Sequence, residues 1–358
     1  MNSADLVSSL RLAGDAELLN ILASADAADV AMRDPRQGLA EHRRVVAAGT
    51  TEIVLLGAMG CRYGMLAGGA GGHLVRTATT TVLVDPGPAA LDTLVALAGR
   101  ELFDWRELDA IAVSHFHPDH YGDLIPTIEA MTSYAAPGVR KTVLANPTTA
   151  ERFGRFSPYH LGGMTDLVTL AHARTAGSGR PSATVGDITV QATPALHTEE
   201  AERRHSALGF VYRTPAVGIW YTSDTNLSAE LLGDLAELIS SPALVIAHAD
   251  ASNVTPSAER AVACHLQSRD VPVLAAALNP RHVVIQHYDM AYSEPGYRIA
   301  QAMWIQRRLR ERGEQTTVLP GANGLRLVLA EQRLVSTAVA LPSEAGYAVE
   351  CYLRGELD

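Results

Sequence analysis

The stretch Ser114-His115-Phe116-His117-Pro118-Asp119-His120 sets three imidazoles and a carboxylate directly after the apolar run Leu108 to Val113. On extended chain, side chains two apart point the same way, so a strand ending at His115 lets His115 and His117 grip one cation together. Proline is well tolerated in the first turn of a helix, where its missing N–H had no partner anyway. A helix starting near Pro118 therefore carries Asp119 and His120 in its first turn, facing a second ion. The plainer alternative is a polar loop of histidines that bind nothing, but His-x-His-x-Asp-His behind a strand has the spacing of a metal site.

Four side chains do not fill two coordination spheres, so further ligands belong at other strand ends. Val190 to Ala195 leads to His197, Gly218 to Thr222 leads to Asp224, and His282 to Gln286 leads to His287. Each follows a β-branched or aromatic run of strand length, which puts all three on one rim of a sheet. Any one alone reads as a hydrogen-bonded surface residue; the shared position marks them as a set.

This pattern resembles the metallo-β-lactamase superfamily from about Glu52 to Leu329. Asp85-Pro86-Gly87, after the strand Thr81 to Val84, looks like the family's structural turn, whose carboxylate orients the metal-binding loop. The resemblance implies His115, His117 and His197 on one ion, Asp119, His120 and His287 on the other, and Asp224 bridging them. The zinc β-lactamases usually carry a cysteine where this chain has Asp224, so antibiotic hydrolysis drops down the list. His265 resembles the extra histidine of the ribonuclease Z and cyclic-phosphodiesterase branch, where it assists the leaving group or steadies the phosphate. That branch typically follows it with a small hydroxyl residue, and here Leu266 stands instead; an ordinary helix-cap or surface histidine is the alternative.

Two divalent ions about 3.5 to 4 Å apart can share a water, lower its pKa and present hydroxide to a carbonyl or phosphoryl centre. Imidazole and carboxylate ligands suit Zn2+, with manganese or iron compatible. Asp119 is placed to accept a hydrogen bond from the nucleophile, and His265 to act as general acid. The resulting expectation is a dinuclear metal-dependent hydrolase of a small ester-type substrate: a phosphodiester, lactone or thioester. A ribonuclease Z-like tRNA 3′-processing endonuclease is the rival within hydrolases. An iron-dependent oxidoreductase on the same fold is the rival from another class.

With 358 residues, 47% hydrophobic and 19% charged, the chain can bury a large core. No apolar stretch approaches a membrane span, and Met1 to Leu12 does not read as a signal peptide, so the expected compartment is the cytoplasm. Cys61, Cys264 and Cys351 are odd in number and far apart, which argues against a disulfide framework. A net charge of −10 argues against long contacts with RNA phosphate, although a local patch can hide in the sum. The basic groups are Arg43-Arg44, Arg203-Arg204 and Arg307-Arg308 with Arg310 and Arg312, the last on a helical pattern from Tyr297 to Arg312 that reads as a solvated face. The expected partner is a small-molecule substrate, with a homodimer compatible.

Residues 1–50 read as an added helical segment, capped by Ser3, with Leu6, Leu10, Leu18, Ile21 and Leu22 at helical spacing and breaks at Gly14 and Asp34-Pro35. Its expected role is packing against the core or a second subunit. Residues 51–330 alternate strands and helices in two halves, the order of a four-layer αββα sandwich with the metals at the edge where both sheets open. Residues 331–358 read as a strand-rich tail, with Leu334 to Leu341 and Tyr347 to Leu353 as its strands. Thr148 to Asp187 reads as the least regular part, where Phe153, Phe156, Tyr159 and His160 are candidates to line a pocket. Gly68 to Gly72 reads as either a backbone cradle for substrate or a flexible hairpin tip.

Overall fold

Strands that are apolar on both faces dictate the architecture. In Thr51–Leu55, Ile53 and Leu55 face one way and Val54 the other; Leu108–Val113 alternates Ala110 and Ala112 with Ile111 and Val113; Gly218–Tyr221 alternates Ile219 and Tyr221 with Trp220, and all of these are buried. A sheet so built must be covered on both sides. The computed structural model describes residues 13–33, 46–60, 65–66, 69–136, 138–199, 205–250 and 265–355. Ser3, Leu6, Leu10, Asp34-Pro35, Arg43-Arg44, Cys61, Gly68, Arg203-Arg204 and Cys264 lie outside the described residues.

Along the chain, β1 (Thr51–Leu55), β2 (His73–Arg76), β3 (Thr81–Val84), β4 (Leu108–Val113), β5 (Lys141–Ala145) and β6 (Thr165–Thr169) build the first sheet. The second takes β7 (Ser182–Val185), β8 (Ile188–Pro194), β9 (Leu208–Arg213), β10 (Gly218–Tyr221), β11 (Leu244–Asp250), β12 (Leu266–Gln267), β13 (His282–Gln286) and β14 (Thr317–Pro320). β15 (Leu325–Ala330) and β16 (Arg333–Val339) return to the first, whose order is β16-β15-β1-β2-β3-β4-β5-β6. The second runs β14-β13-β11-β10-β9-β8-β7, with β12 beside β11. β3 to β6 are parallel, as are β10, β11, β13 and β14. The carboxyl ends of parallel strands are where such sheets bind ligands.

The inner faces of both sheets meet in one core, in which Val82 and Ala112 of the first lie with Phe210, Tyr221 and Ile246 of the second. Outside the first sheet pack the helices Ala90–Ala98 and Leu124–Ser133, through Leu94, Leu97, Ile128 and Met131. Outside the second pack Ala229–Leu238, Val271–Leu278 and Pro295–Glu311, through Leu235, Leu274, Ile305 and Leu309. This is the expected αββα sandwich. Among the described residues no helix is long and apolar enough to cross a membrane.

Three local expectations change. Tyr347 to Leu353 is helical, within Glu344–Leu353: Ser343 Oγ caps the first turn by accepting from Gly346 N at 2.9 Å, and Val349 and Cys351 are buried. The segment from Thr148 to Asp187 is more regular than read, because Asn146 caps the helix Pro147–Phe156 and β6 and β7 follow. In the N-terminal helix, Asp15–Arg33, Leu19 and Leu22 are more than 60% exposed, so these two do not pack on the core, and packing against a second subunit stays an expectation.

His73 of β2 points into the inter-sheet core, edge-on to Tyr212 and Tyr221 at 5.8 and 4.8 Å, and neither ring nitrogen has a hydrogen-bond partner among the described residues. Burial pushes its pKa down to about 3, with the Asp85 carboxylate only partly opposing. A histidine buried neutral binds fewer protons than the unfolded chain below its ordinary pKa. Its contribution is therefore complete above about pH 6.5 and declines as pH falls toward 3, by about 2 kcal/mol at pH 5. His73→Leu is expected to flatten the melting-temperature profile between pH 6.5 and 4; an unchanged acid slope would assign that loss to another group.

Candidate metal centre

The site begins at Asp85, just past β3 and held at φ 48°. Its carboxylate accepts from Ser114 N and Ser114 Oγ at 2.6 Å each, from His120 Nδ1 at 2.8 Å and from Tyr221 Oη at 2.5 Å. Burial raises its pKa, but the His120 charge and these donors outweigh burial and hold it below the usual carboxylate range. The following Gly87 is required by close approach, since a Cβ there would lie 1.9 Å from the Asp119 carbonyl oxygen. Gly72 is likewise confined, since a Cβ there would lie 1.9 Å from Val84 O; Leu56 N donates to Gly72 O and Ala70 N to Pro88 O. Ala70 and Gly72 also line the space beside Asp119, His120 and His287.

Pro118 opens the short helix Pro118–Tyr121, which carries Asp119 and His120. The ring nitrogens then sort themselves by partner. His117 donates Nε2–H to Glu199 O at 3.1 Å, and His120 donates Nδ1–H to Asp85, so the other nitrogen of each turns inward. His117 Nδ1 lies 3.0 Å from both His115 Nε2 and His197 Nε2. His120 Nε2 is buried without a hydrogen bond of good geometry, 3.4 Å from Asp224 Oδ2 and 3.7 Å from Asp119 Oδ2. His287 Nε2 stands 3.1 Å from Asp119 Oδ2 and 3.3 Å from Asp224 Oδ1.

Asp224 is the centre of this arrangement. The candidate ligand atoms of His115, His117, His197 and Asp224 lie within 4.8 Å of one another, and so do those of His120, Asp224, His248 and His287. Nitrogens converging at 3.0 Å with carboxylates behind them are an environment for a cation, and among the described residues the donor set contains no thiolate. The electrostatics agree in direction. Burial lowers His115 and His117, whereas at His120 the Asp224, Asp119 and Asp85 carboxylates overcome burial and hold the imidazole well above its ordinary range. Burial raises Asp224 and Asp119, yet the surrounding imidazoles bring both well below the usual range.

The structure brings together all seven expected ligands and His265, whose Nε2 is 3.2 Å from Asp224 Oδ2 and whose ring stacks on His197 at 5.4 Å. Its side chain is 15% exposed, against 0% for His115 and 4% for His287. Leu266, the departure noted above, is buried in β12 against Ala249 and belongs to the outer core.

Sequence reasoning missed His248 and Glu199. His248 donates Nδ1–H to Asp224 Oδ1 at 2.8 Å and accepts Gln286 Nε2–H at Nε2, 2.7 Å. Burial lowers it to about 4, so it is neutral and this tautomer uses both nitrogens. It thus orients Asp224 from behind, leaving Oδ2 toward the cluster. Its signal was present, because it follows the apolar run Leu244 to Ala247 as His287 follows its own strand. Glu199 left no such signal: it accepts from Phe116 N, Asn146 Nδ2 and Ser206 Oγ at 2.7 to 3.1 Å, partners set only by folding, and burial raises its pKa. Ser223 and His287 adopt positive φ, 52° and 68°, and a Cβ on Gly60 would fall 2.1 Å from the His287 ring.

Two stacked sheets with a His/Asp cluster on a strand-end rim define a class, the metallo-β-lactamase fold. Residues 80–288 match the β-lactamase superfamily domain, more than half of the chain, and the chain belongs to that superfamily. It is 28% identical over 252 residues to an uncharacterized protein of Methanocaldococcus jannaschii, covering 68% of this chain and 85% of that one. In structure it is similar to the metallo-β-lactamase fold protein YhfI from Bacillus subtilis, with a TM-score of 0.58 and 15% identity over 78% of this chain and 99% of that one. It is also similar to a diphosphatase from the PhnP family, with a TM-score of 0.52 and 16% identity over 78% and 98% of the two chains.

His248→Ala removes the donor to Asp224 Oδ1 without removing an inward-facing nitrogen. The expected result, read by competition with a chromogenic chelator, is a divalent-ion affinity lower by about 10- to 100-fold in a folded protein. Unchanged affinity would show that Asp224 needs no such support.

Proposed function

We propose that this superfamily member is a dinuclear metal-dependent hydrolase of a small ester, with a phosphodiester as the first candidate. The observation that supports it most is Asp224, one carboxylate that approaches His115 and His197 on one side and His120 and His287 on the other, with His265 beside it. His115, His117 and His197 would hold one ion, Asp119, His120 and His287 the other, and Asp224 both. Such ions, when bound, acidify a shared water and polarise the substrate's oxygen.

The chain's own groups supply the rest. Asp85 fixes the His120 tautomer, Glu199 fixes the His117 tautomer through its backbone carbonyl, and His248 holds Asp224. Asp119 Oδ2 is near enough to the cluster to accept a proton or a hydrogen bond from a nucleophile. His265, the most solvent-open imidazole of those pointing at Asp224, is placed to protonate a departing alkoxide. The PhnP-family diphosphatase on the same fold favours a phosphoryl centre over a lactone or thioester.

Metal analysis by mass spectrometry on protein purified without added metal, paired with chromogenic phosphodiester, lactone and thioester substrates, tests the reading. The expected result is about two zinc or manganese ions per chain and turnover of the phosphodiester. Full activity without metal, or bound iron with no hydrolysis, would overturn it. His265→Ala is expected to keep the metal and slow turnover by about 10²- to 10⁴-fold, most for poor leaving groups. Wild-type rates on every substrate would remove the general-acid role.

A further inference from the structure

One cavity, lined by Phe116, Phe153 and Phe156, lies on the outer side of the first sheet. A second, of about 470 Å³, opens where the turns into β11, β13 and β14 meet the start of β16, and falls within the roughly 300 to 1,000 Å³ typical of small-molecule pockets. His282 and Thr317, the first residues of β13 and β14 and partners in register, stand on its wall, and Arg333 of β16 joins them from the other sheet. His287 lies past the far end of β13, about 16 Å away at roughly 3.3 Å per strand residue, so this cavity is separate from the metal centre.

Its charge is opposite to that of the chain. Arg281 and Arg333 line it and, among the described residues, no aspartate or glutamate does, in a protein of net charge −10. The Arg281 guanidinium has no ion-pair or hydrogen-bond partner among the described residues. Arg333 meets Glu331 at 3.2 Å, but both side chains are largely exposed, and such a surface pair is weak enough to yield to a ligand. Leu334 N donates to His282 Nε2 at 3.3 Å, while burial and the Arg281 charge push the imidazole's pKa down. The ring is therefore neutral with its proton on Nδ1, and the positive field comes from the two guanidiniums.

The backbone beneath is tied in place. Ser241 N donates to Leu278 O and Arg281 N to Pro242 O at 3.1 Å each, Thr316 Oγ1 donates to Pro280 O at 2.7 Å, and Thr317 N to Arg281 O at 3.0 Å. These bonds join the three turns, so the lining side chains start from fixed positions before any ligand arrives. The side chains of Ser241, Asn279 and Thr317 have no hydrogen-bond partner among the described residues, and all three line the cavity.

We propose that this cavity is a binding site for a phosphate monoester, its phosphate held by Arg281 and Arg333 and its polar body by Ser241, Asn279 and Thr317. Two guanidiniums match a dianion, and their planar forks match phosphate oxygens. Hydroxyls and an amide suit a body that carries hydroxyl groups of its own.

Calorimetric titration of the metal-loaded protein with ribose 5-phosphate, ribose and succinate tests the site, against a variant carrying Arg281→Gln and Arg333→Gln. Ribose 5-phosphate can also meet the metal centre, so the quantity read is the binding event that the variant loses. Both arginines are exposed, and the variant is expected to keep its melting temperature and metal content. The expected result is an event for ribose 5-phosphate that the variant weakens by about tenfold or more, with none for ribose and weaker binding of succinate. Binding of ribose 5-phosphate that the variant leaves intact, or its absence from the wild-type protein, would overturn the site. Succinate bound as tightly as ribose 5-phosphate would overturn the assignment to a phosphate.

Discussion

The buried carboxylate of Asp85 is the interaction on which the site depends. It has no role in binding an ion in the geometry described, yet it receives Ser114 and His120 from the metal-binding turn and Tyr221 from the opposite sheet. A carboxylate taken out of water is costly unless its oxygens are fully used, and here four donors use them. The consequence is positional. The two sheets meet at a fixed point, and the nitrogen of His120 that faces inward is decided by the one that faces Asp85. Loss of any donor leaves a buried charge poorly compensated, which makes the arrangement stiff.

The same logic repeats around the cluster. Several inward-facing groups are held by a partner at the back: Asp85 behind His120, Glu199 O behind His117, and His248, itself held by Gln286, behind Asp224. His265 stands apart in being more open to solvent than the other imidazoles near Asp224. The division suits the proposed roles: groups that would hold a cation need fixed directions, whereas a group that would move a proton to substrate needs access.

The fold provides this precision cheaply. Parallel strands β4, β10, β11 and β13 end on one rim, so side chains far apart in the chain arrive together without long loops to steer them. The strained backbone at Asp85, Ser223 and His287 is tolerated because strands packed on both faces leave these residues little alternative.

The fold and most of the cluster were legible in the chain itself. Strand-length runs apolar on both faces require two covered sheets, and a histidine or aspartate just past such a run must lie on the rim, which is why His115, His197, Asp224 and His287 could be named. Periodicity could not tell Tyr347 to Leu353 from a strand, because a short apolar run with aromatic residues suits both until a cap such as Ser343 engages. Nor could it show that His248 stands behind Asp224, that Glu199 organises Phe116 and His117, or that Phe116, Phe153 and Phe156 surround one space. Those relations join residues tens of positions apart across different layers. Local sequence determines which way a side chain points, but only the stacking of the layers decides what it meets.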